Sequence, residues 1–234
     1  MTPLIQMTGV SRSYVDGRGT RVALADVDFV LHDGELVAVM GPSGSGKSTL
    51  LAMAGGLERP SRGEVQIEGQ PLAYQRSAVA RRLREQIGVV YQRDNLLRDL
   101  TSCQNVSLPL ELVRVPSREA AARARRALAE VDAGELADMR PDQLSGGERQ
   151  RVAVARALIG DRRILLADEP TAALETTSAE NLMRLIRKRT RGERAAIVAT
   201  HDQRLAAYAD RVIYLNDGRI VGEVRADVGV EVHT

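Results

Sequence analysis

The sequence predicts an α/β fold: a core of strands and helices, an antiparallel β-subdomain built from its N-terminal part, and an α-helical subdomain inserted further along. Three observations carry this. Leu4 to Val10 and Val22 to Leu31 alternate apolar and polar side chains, the period of half-buried strands. Glu35 to Met40 is a short, nearly continuous apolar run that leads into a glycine-rich loop and then a helix-like segment, Lys47 to Leu57. From Arg93 to Ile159 β-branched runs thin out and Ala, Leu and Arg take over.

Taken in order, Asp16-Gly17 and Asp33-Gly34 supply turns beside the first strands. Ile87 to Tyr91 is a further apolar run. Within the helical stretch, Ser117 is a good N-cap for a helix over Arg118 to Glu130. Strand signals return at Ile164 to Ala167, at Ala195 to Thr200, and at Val212 to Leu215 and Arg219 to Val221. The last two flank Asn216-Asp217-Gly218 and read as a hairpin with a turn of two or three residues. The expected division is a core of residues 1–92 and 160–234 and a helical subdomain of residues 93–159. No repeat, low-complexity tract or flexible linker interrupts it.

A chain of 234 residues has room for one such domain with an insertion but not for two in tandem. Its 44% hydrophobic and 27% charged residues are near the globular average. The longest apolar runs, Leu36 to Met40 and Ile164 to Ala167, fall far short of the roughly 20 residues that span a bilayer. Membrane work therefore requires a partner chain. MTPLIQMTGVSRSY lacks the basic-then-apolar pattern of a secretory signal. Cys103, the one cysteine, agrees with a reducing compartment and reads as a small buried hydrophobe. Net charge is +2. The basic clusters at Arg81, Arg82 and Arg84, at Arg123, Arg125 and Arg126, and from Arg187 to Arg191 read as solvated helix faces. They lie in separate segments and aromatics total 3%, so no nucleic-acid partner is expected.

Gly41, Pro42, Ser43, Gly44, Ser45, Gly46, Lys47 and Ser48 satisfy GxxxxGK[ST], and Thr49 follows. Triphosphate binding accounts for each fixed position. Glycines let backbone N–H groups converge on phosphates, the helix N-terminus adds a favourable dipole, Lys47 reaches the β and γ phosphates, and Ser48 ligates Mg²⁺. Arg163 to Pro170 then delivers a carboxylate pair at the end of an apolar strand. Asp168 would hold Mg²⁺ through water and Glu169 would polarise the attacking water. These two elements leave a kinase, a GTPase and a motor open.

Leu144-Ser145-Gly146-Gly147-Glu148-Arg149-Gln150 begins a new helix, and here the sequence resembles the ABC ATPase signature. Exposed N–H groups and a serine hydroxyl at a helix N-terminus form an anion site. The loop at Gly41 already occupies the near side of the phosphates, so Ser145, Gly146 and Gly147 are expected to grip the γ-phosphate held by a facing subunit. The resemblance covers essentially the whole chain and implies a P-loop NTPase of RecA-like core. It implies further that Tyr14 stacks on adenine, that Gln92 senses Mg²⁺ and the attacking water, and that His201 contacts the γ-phosphate. One position departs: Glu175 ends the loop after Pro170 where most relatives carry aspartate, which puts coupling between the two nucleotide sites in question.

Within the family, Gly55 to Pro60, Asn95-Leu96-Leu97 through Asn105-Val106 to Pro109-Leu110, and Ala167 to Thr171 look like the lipoprotein-releasing, macrolide-export and cell-division branch. That branch implies an ATP- and Mg²⁺-dependent homodimer, or a pseudo-dimer with a related ATPase. It would be cytoplasmic and peripheral on the inner face of the cell membrane, with integral permease subunits docking near Arg93 to Pro116. Two alternatives stand beside a transport role. One is an ATP-driven switch on a cell-envelope or division enzyme. The other is a soluble ATPase acting on DNA or ribosomes, which usually needs a coiled-coil insertion or second ATPase domain.

Overall fold

The computed structural model describes residues 3–17, 19–72, 85–225 and 228–231. Alternation does build the first strands: β1 (Ile5–Asp16) and β2 (Gly19–Leu31) pair antiparallel, with Ile5 opposite Leu31 and Tyr14 opposite Arg21. After β3 (Leu36–Met40), the strands β4 (Arg62–Ile67) and β5 (Gln70–Pro71) complete a four-stranded sheet of order β2-β1-β4-β5. Neither β4 nor β5 was expected from sequence. Only Val65 and Ile67 of β4 are buried, so its apolar signal is slight and its pairing with β1 makes it a strand.

A second sheet holds β6 (Ile87–Val90), β7 (Ile164–Asp168), β8 (Ala195–Ala199), β9 (Arg211–Asn216), β10 (Arg219–Arg225) and β11 (Val228–Glu231), in the order β11-β10-β9-β3-β8-β7-β6. Neighbours from β9 to β6 run parallel and the last two pairs antiparallel. Every residue of β3, β7 and β8 is buried, which is why these runs are apolar without alternation. Ile164 and Leu166 of β7 pack in the core that includes the first sheet, whereas Leu165 and Ala167 enter the helical core on the other face.

Helix α1 (Lys47–Ala54) follows the glycine-rich loop and ends at Gly55-Gly56, short of the expected Leu57. A Cβ on Gly55 would come within 2.7 Å of Leu166 Cδ1, so glycine lets the helix end seat on β7. Residues 102–158 carry α2 (Ser102–Leu112), α3 (Ser117–Glu130), two 3₁₀ turns and α4 (Gly146–Leu158), and no strand. Ser117 is the first helical residue of α3 and not its cap. Pro116 holds the cap position and its carbonyl accepts the Ala120 N–H at 2.9 Å. Cys103 is buried in this core, and burial pushes its thiol pKa up.

Among the described residues two further helices follow, α5 (Thr176–Arg189) and the short α6 (Gln203–Ala206). The arginines of the solvated faces keep accessible side chains, and several are also ion-paired: Arg123 with Glu119, Arg125 with Asp138, Arg187 with Asp210, and Arg189 with Glu130. Surface pairs of this kind add little stability, but they neutralise the clusters locally. Arg81, Arg82 and Arg84 lie outside the described residues.

Between β9 and β10 the turn is the two-residue Asp217-Gly218, with φ of 45° and 75°, the left-handed pair that a tight hairpin demands. The Gly218 N–H donates to Ser45 O and its carbonyl accepts from Ala25 N, both at 2.9 Å. The hairpin thus ties the loop at Gly41 to β2. A Cβ on Gly218 would sit 2.8 Å from Ala23 O. Gly218→Ala is therefore expected to cost about 1–3 kcal/mol in urea unfolding, from the left-handed penalty plus that clash.

Candidate functional site

The parallel sheet positions the site. β3 ends at Met40 and releases the glycine-rich loop, β7 ends on Asp168 with Glu169 just beyond it, and β8 ends just before Thr200 and His201. Because β3, β8 and β7 are adjacent and parallel, their C-terminal ends open on one edge, where ligands of such sheets bind. A cleft of about 650 Å³ lies there. Its lining brings together Tyr14, Gly41, Pro42, Ser43, Gly44, Gly46, Lys47, Ser48, Thr49, Gln92, Asp168, Glu169 and His201.

The glycines of the loop have distinct reasons. A Cβ on Gly41 would fall 2.1 Å from Leu215 O, and one on Gly46 2.4 Å from Ala23 O. These two seat the loop against β9 and β2. A Cβ on Gly44 would meet only an ordinary contact, Arg21 Nη2 at 3.7 Å, but its φ is 81°, so backbone conformation is what requires glycine. Lys47 Nζ crosses the loop and donates to Gly41 O at 2.7 Å and Pro42 O at 3.0 Å. Ser45 does not line the cleft. It is buried, its carbonyl accepts from Gly218, and its Oγ has no partner among the described atoms.

Glu169 and Asp168 are both buried. Glu169 adopts a φ of 50° and its N–H donates to Ala199 O at 2.9 Å, so β8 holds the strained backbone in place. Its two carboxylate oxygens lie 2.9 and 3.0 Å from His201 Nδ1. His201 is otherwise well exposed, its side chain 73% accessible. This arrangement joins a buried carboxylate to a solvent-exposed imidazole at the cleft edge, a pair suited to holding and moving a proton.

Tyr14 is fixed at the opposite end. Its hydroxyl donates to Glu58 Oε2 at 2.7 Å, and the Arg12 guanidinium lies 4.5 Å from the ring centroid. Arg12 covers one ring face and also reaches Glu58 at 3.2 Å. Three cleft residues were missed from sequence: Arg21, Ala23 and Ala172. Arg21 and Ala23 become visible only through the register of the β1-β2 hairpin.

Ser145, Gly146 and Gly147 are outside the cleft lining of their own chain. Ser145 caps α4 through a capping box: its Oγ accepts the Glu148 N–H at 3.3 Å and Glu148 Oε2 accepts the Ser145 N–H at 2.7 Å. The Ser145 backbone N–H, and after it the Ser145 hydroxyl, hydrogen-bond the Glu148 carboxyl and lower its pKa. A Cβ on Gly147 would meet Ala173 O at 2.9 Å, so α4 packs on the loop after Pro170. The helix also grips the segment after Gln92, with Arg149 Nε 2.8 Å from Asp94 Oδ2 and Arg156 donating to the Asp94 and Asn95 carbonyls.

The donors fit a hard divalent cation. Ser48, Gln92 and Asp168 offer hydroxyl, amide and carboxylate oxygens, the ligands Mg²⁺ prefers. Among the described residues no group of three or more His, Cys, Asp or Glu is placed to hold a metal. An ion here would take its remaining ligands from phosphate and water.

The family model described as ABC transporter matches residues 24–172. Macrolide export ATP-binding/permease protein MacB 1/2 of Paracoccus denitrificans is 42% identical over 95% of this chain, which spans 34% of that protein. MacB of Salmonella typhimurium is 41% identical over 94% of the chain, again spanning 34% of the relative. A solved structure described as the dimeric structure of a post-hydrolysis state of the ATP-binding cassette MJ0796 bound to ADP and Pi superposes with a TM-score of 0.90 at 37% identity. It covers 94% of this chain and 98% of the other.

Proposed function

Since the chain belongs to the ABC transporter family and carries that family's ATPase, we propose that it works as one half of a nucleotide sandwich, closing on ATP to drive a membrane partner. The observation that carries this reading is spatial. The phosphate loop, Asp168, Glu169, Gln92 and His201 share one cleft, while Ser145 to Gly147 form a serine-capped helix end outside its lining. A second copy facing the first would complete each site. The similar cassette described as dimeric and bound to ADP and Pi supports that arrangement.

In this reading the backbone N–H groups from Gly41 to Thr49 and the Lys47 ammonium hold the phosphates, and Tyr14 stacks on the base. Ser48, Gln92 and Asp168 hold Mg²⁺, which when bound neutralises charge on the phosphates. Glu169 takes a proton from water aligned against the terminal phosphate. His201, hydrogen-bonded to that carboxylate, orients it and contacts the phosphate. The helical subdomain, residues 93–159, moves as the lever between nucleotide and partner.

No described helix is long and apolar enough to cross a membrane. A groove of about 690 Å³ is lined by Leu57, Tyr91, Leu108, Leu112, Arg156 and Arg162, among others. Leu57, Tyr91 and Leu112 are exposed there. Burial, with Arg156 alongside, pulls the Arg162 pKa down to about 10. The groove takes in part of the Arg93 to Pro116 segment and is the proposed seat of a permease on the inner face of the membrane. The relatives named for macrolide export, each with a permease in the same protein, favour export or mechanical work over a purely signalling role.

The split site has its own test. Ser145→Arg is expected to leave ATP affinity of the separate chain unchanged, while the chain stays monomeric in ATP and turnover falls to a basal level. Light scattering and a coupled ATPase assay read both. ATP-induced dimers in this variant would remove Ser145 from the interface.

A further inference from the structure

We propose that Arg21 is a nucleotide contact, a second cation that holds the phosphate adjoining the nucleoside. The hairpin register pairs Tyr14 directly with Arg21, and both side chains line the cleft. Ala23, two residues on, lines it too. The backbone of β2 is held against the phosphate loop at Ala23, whose carbonyl closes on Gly46. From that anchor Arg21 reaches across the loop. Its Nη2 is the nearest atom to the position of a Cβ on Gly44, at 3.7 Å.

The guanidinium thus lies over the middle of the phosphate loop, on a residue paired with Tyr14 across the hairpin. It has no hydrogen-bond or ion-pair partner among the described residues. The cleft's carboxylates, Asp168 and Glu169, are at the ends of strands in the other sheet. An arginine on an edge strand often serves only to discourage strand pairing, but one turned onto an anion-binding loop has a further use. Its planar fork of donors matches two phosphate oxygens at once. Lys47, whose ammonium crosses the loop at Gly41 and Pro42, serves the distal phosphates, which leaves Arg21 the one beside the base.

The inference rests on the reading of this cleft as an ATP site. The test is titration of the full chain with ATP, ADP and adenosine, each by competition against a fluorescent ATP analogue with Mg²⁺ present, at low and high salt. Arg21→Ala is expected to weaken ATP and ADP by a similar factor, roughly fivefold to tenfold for a solvent-accessible charged contact. Adenosine binding stays as in the parent chain, and the salt dependence of ATP binding becomes shallower. Arg21→Lys restores part of the loss. Unchanged ATP affinity in Arg21→Ala overturns the proposal. So does an equal loss for ATP and adenosine, which would assign Arg21 to support of the Tyr14 ring. Lys47→Ala run alongside separates the two levels: if neither variant alters ATP binding, the ATP reading itself fails with it.

Discussion

Replacing Glu169 with Gln is expected to leave ATP binding intact, remove most turnover and trap an ATP-bound dimer. The side chain is buried at the end of β7, and its backbone is pinned by the Ala199 carbonyl at 2.9 Å. Glutamine is nearly the same size and can keep a hydrogen bond to His201 through its amide, so packing and the cleft survive. What it loses is basicity. Removal of a general base typically costs about 10²-fold to 10⁴-fold in rate. Phosphate release over time measures the loss, and size-exclusion chromatography in ATP and Mg²⁺ measures the trapped dimer. Parent-like turnover in this variant would take Glu169 out of the role.

The second large effect lies in binding. Lys47→Ala removes an ammonium that reaches Gly41 O and Pro42 O at 2.7 and 3.0 Å and lies within the cleft. A charge-assisted contact to phosphate is worth about 1.5–3 kcal/mol, which translates to a roughly tenfold to hundredfold weaker ATP Kd. The same substitution deletes two bonds that close the loop on itself, so a melting curve belongs beside the titration. Loss of affinity with an unchanged melting temperature assigns the effect to the phosphates. Unchanged affinity contradicts the phosphate assignment.

Much of the fold was legible because its signals are local. Asp217-Gly218 demands left-handed backbone and forms the expected hairpin. β3, β7 and β8 announce themselves as short apolar runs because both their faces are covered. Ser117 misled because a serine before a helical pattern is a good cap in general, while here Pro116, with its restricted φ, already occupies that place. The strand β4 was illegible because two buried side chains in six make too weak a pattern. In the cleft, spacing marked the loop from Gly41 to Thr49 and the pair Asp168 and Glu169. Nothing local marked Arg21, since a shift of one residue in the hairpin would turn it to the opposite face.

By itself the sequence determined which chemical groups exist and in what order: a phosphate loop, a carboxylate pair after a strand, and a serine-capped glycine helix end. Short-range stereochemistry sets these, because turn geometry, capping and strand burial depend on neighbours a few residues away. Only the tertiary structure decided their distances. Parallel packing of β3, β8 and β7 puts three remote loops on one sheet edge and seats His201 on Glu169, and it leaves Ser145 to Gly147 facing outward. Contacts between residues far apart in sequence follow from how whole faces bury against one another, which no single segment encodes.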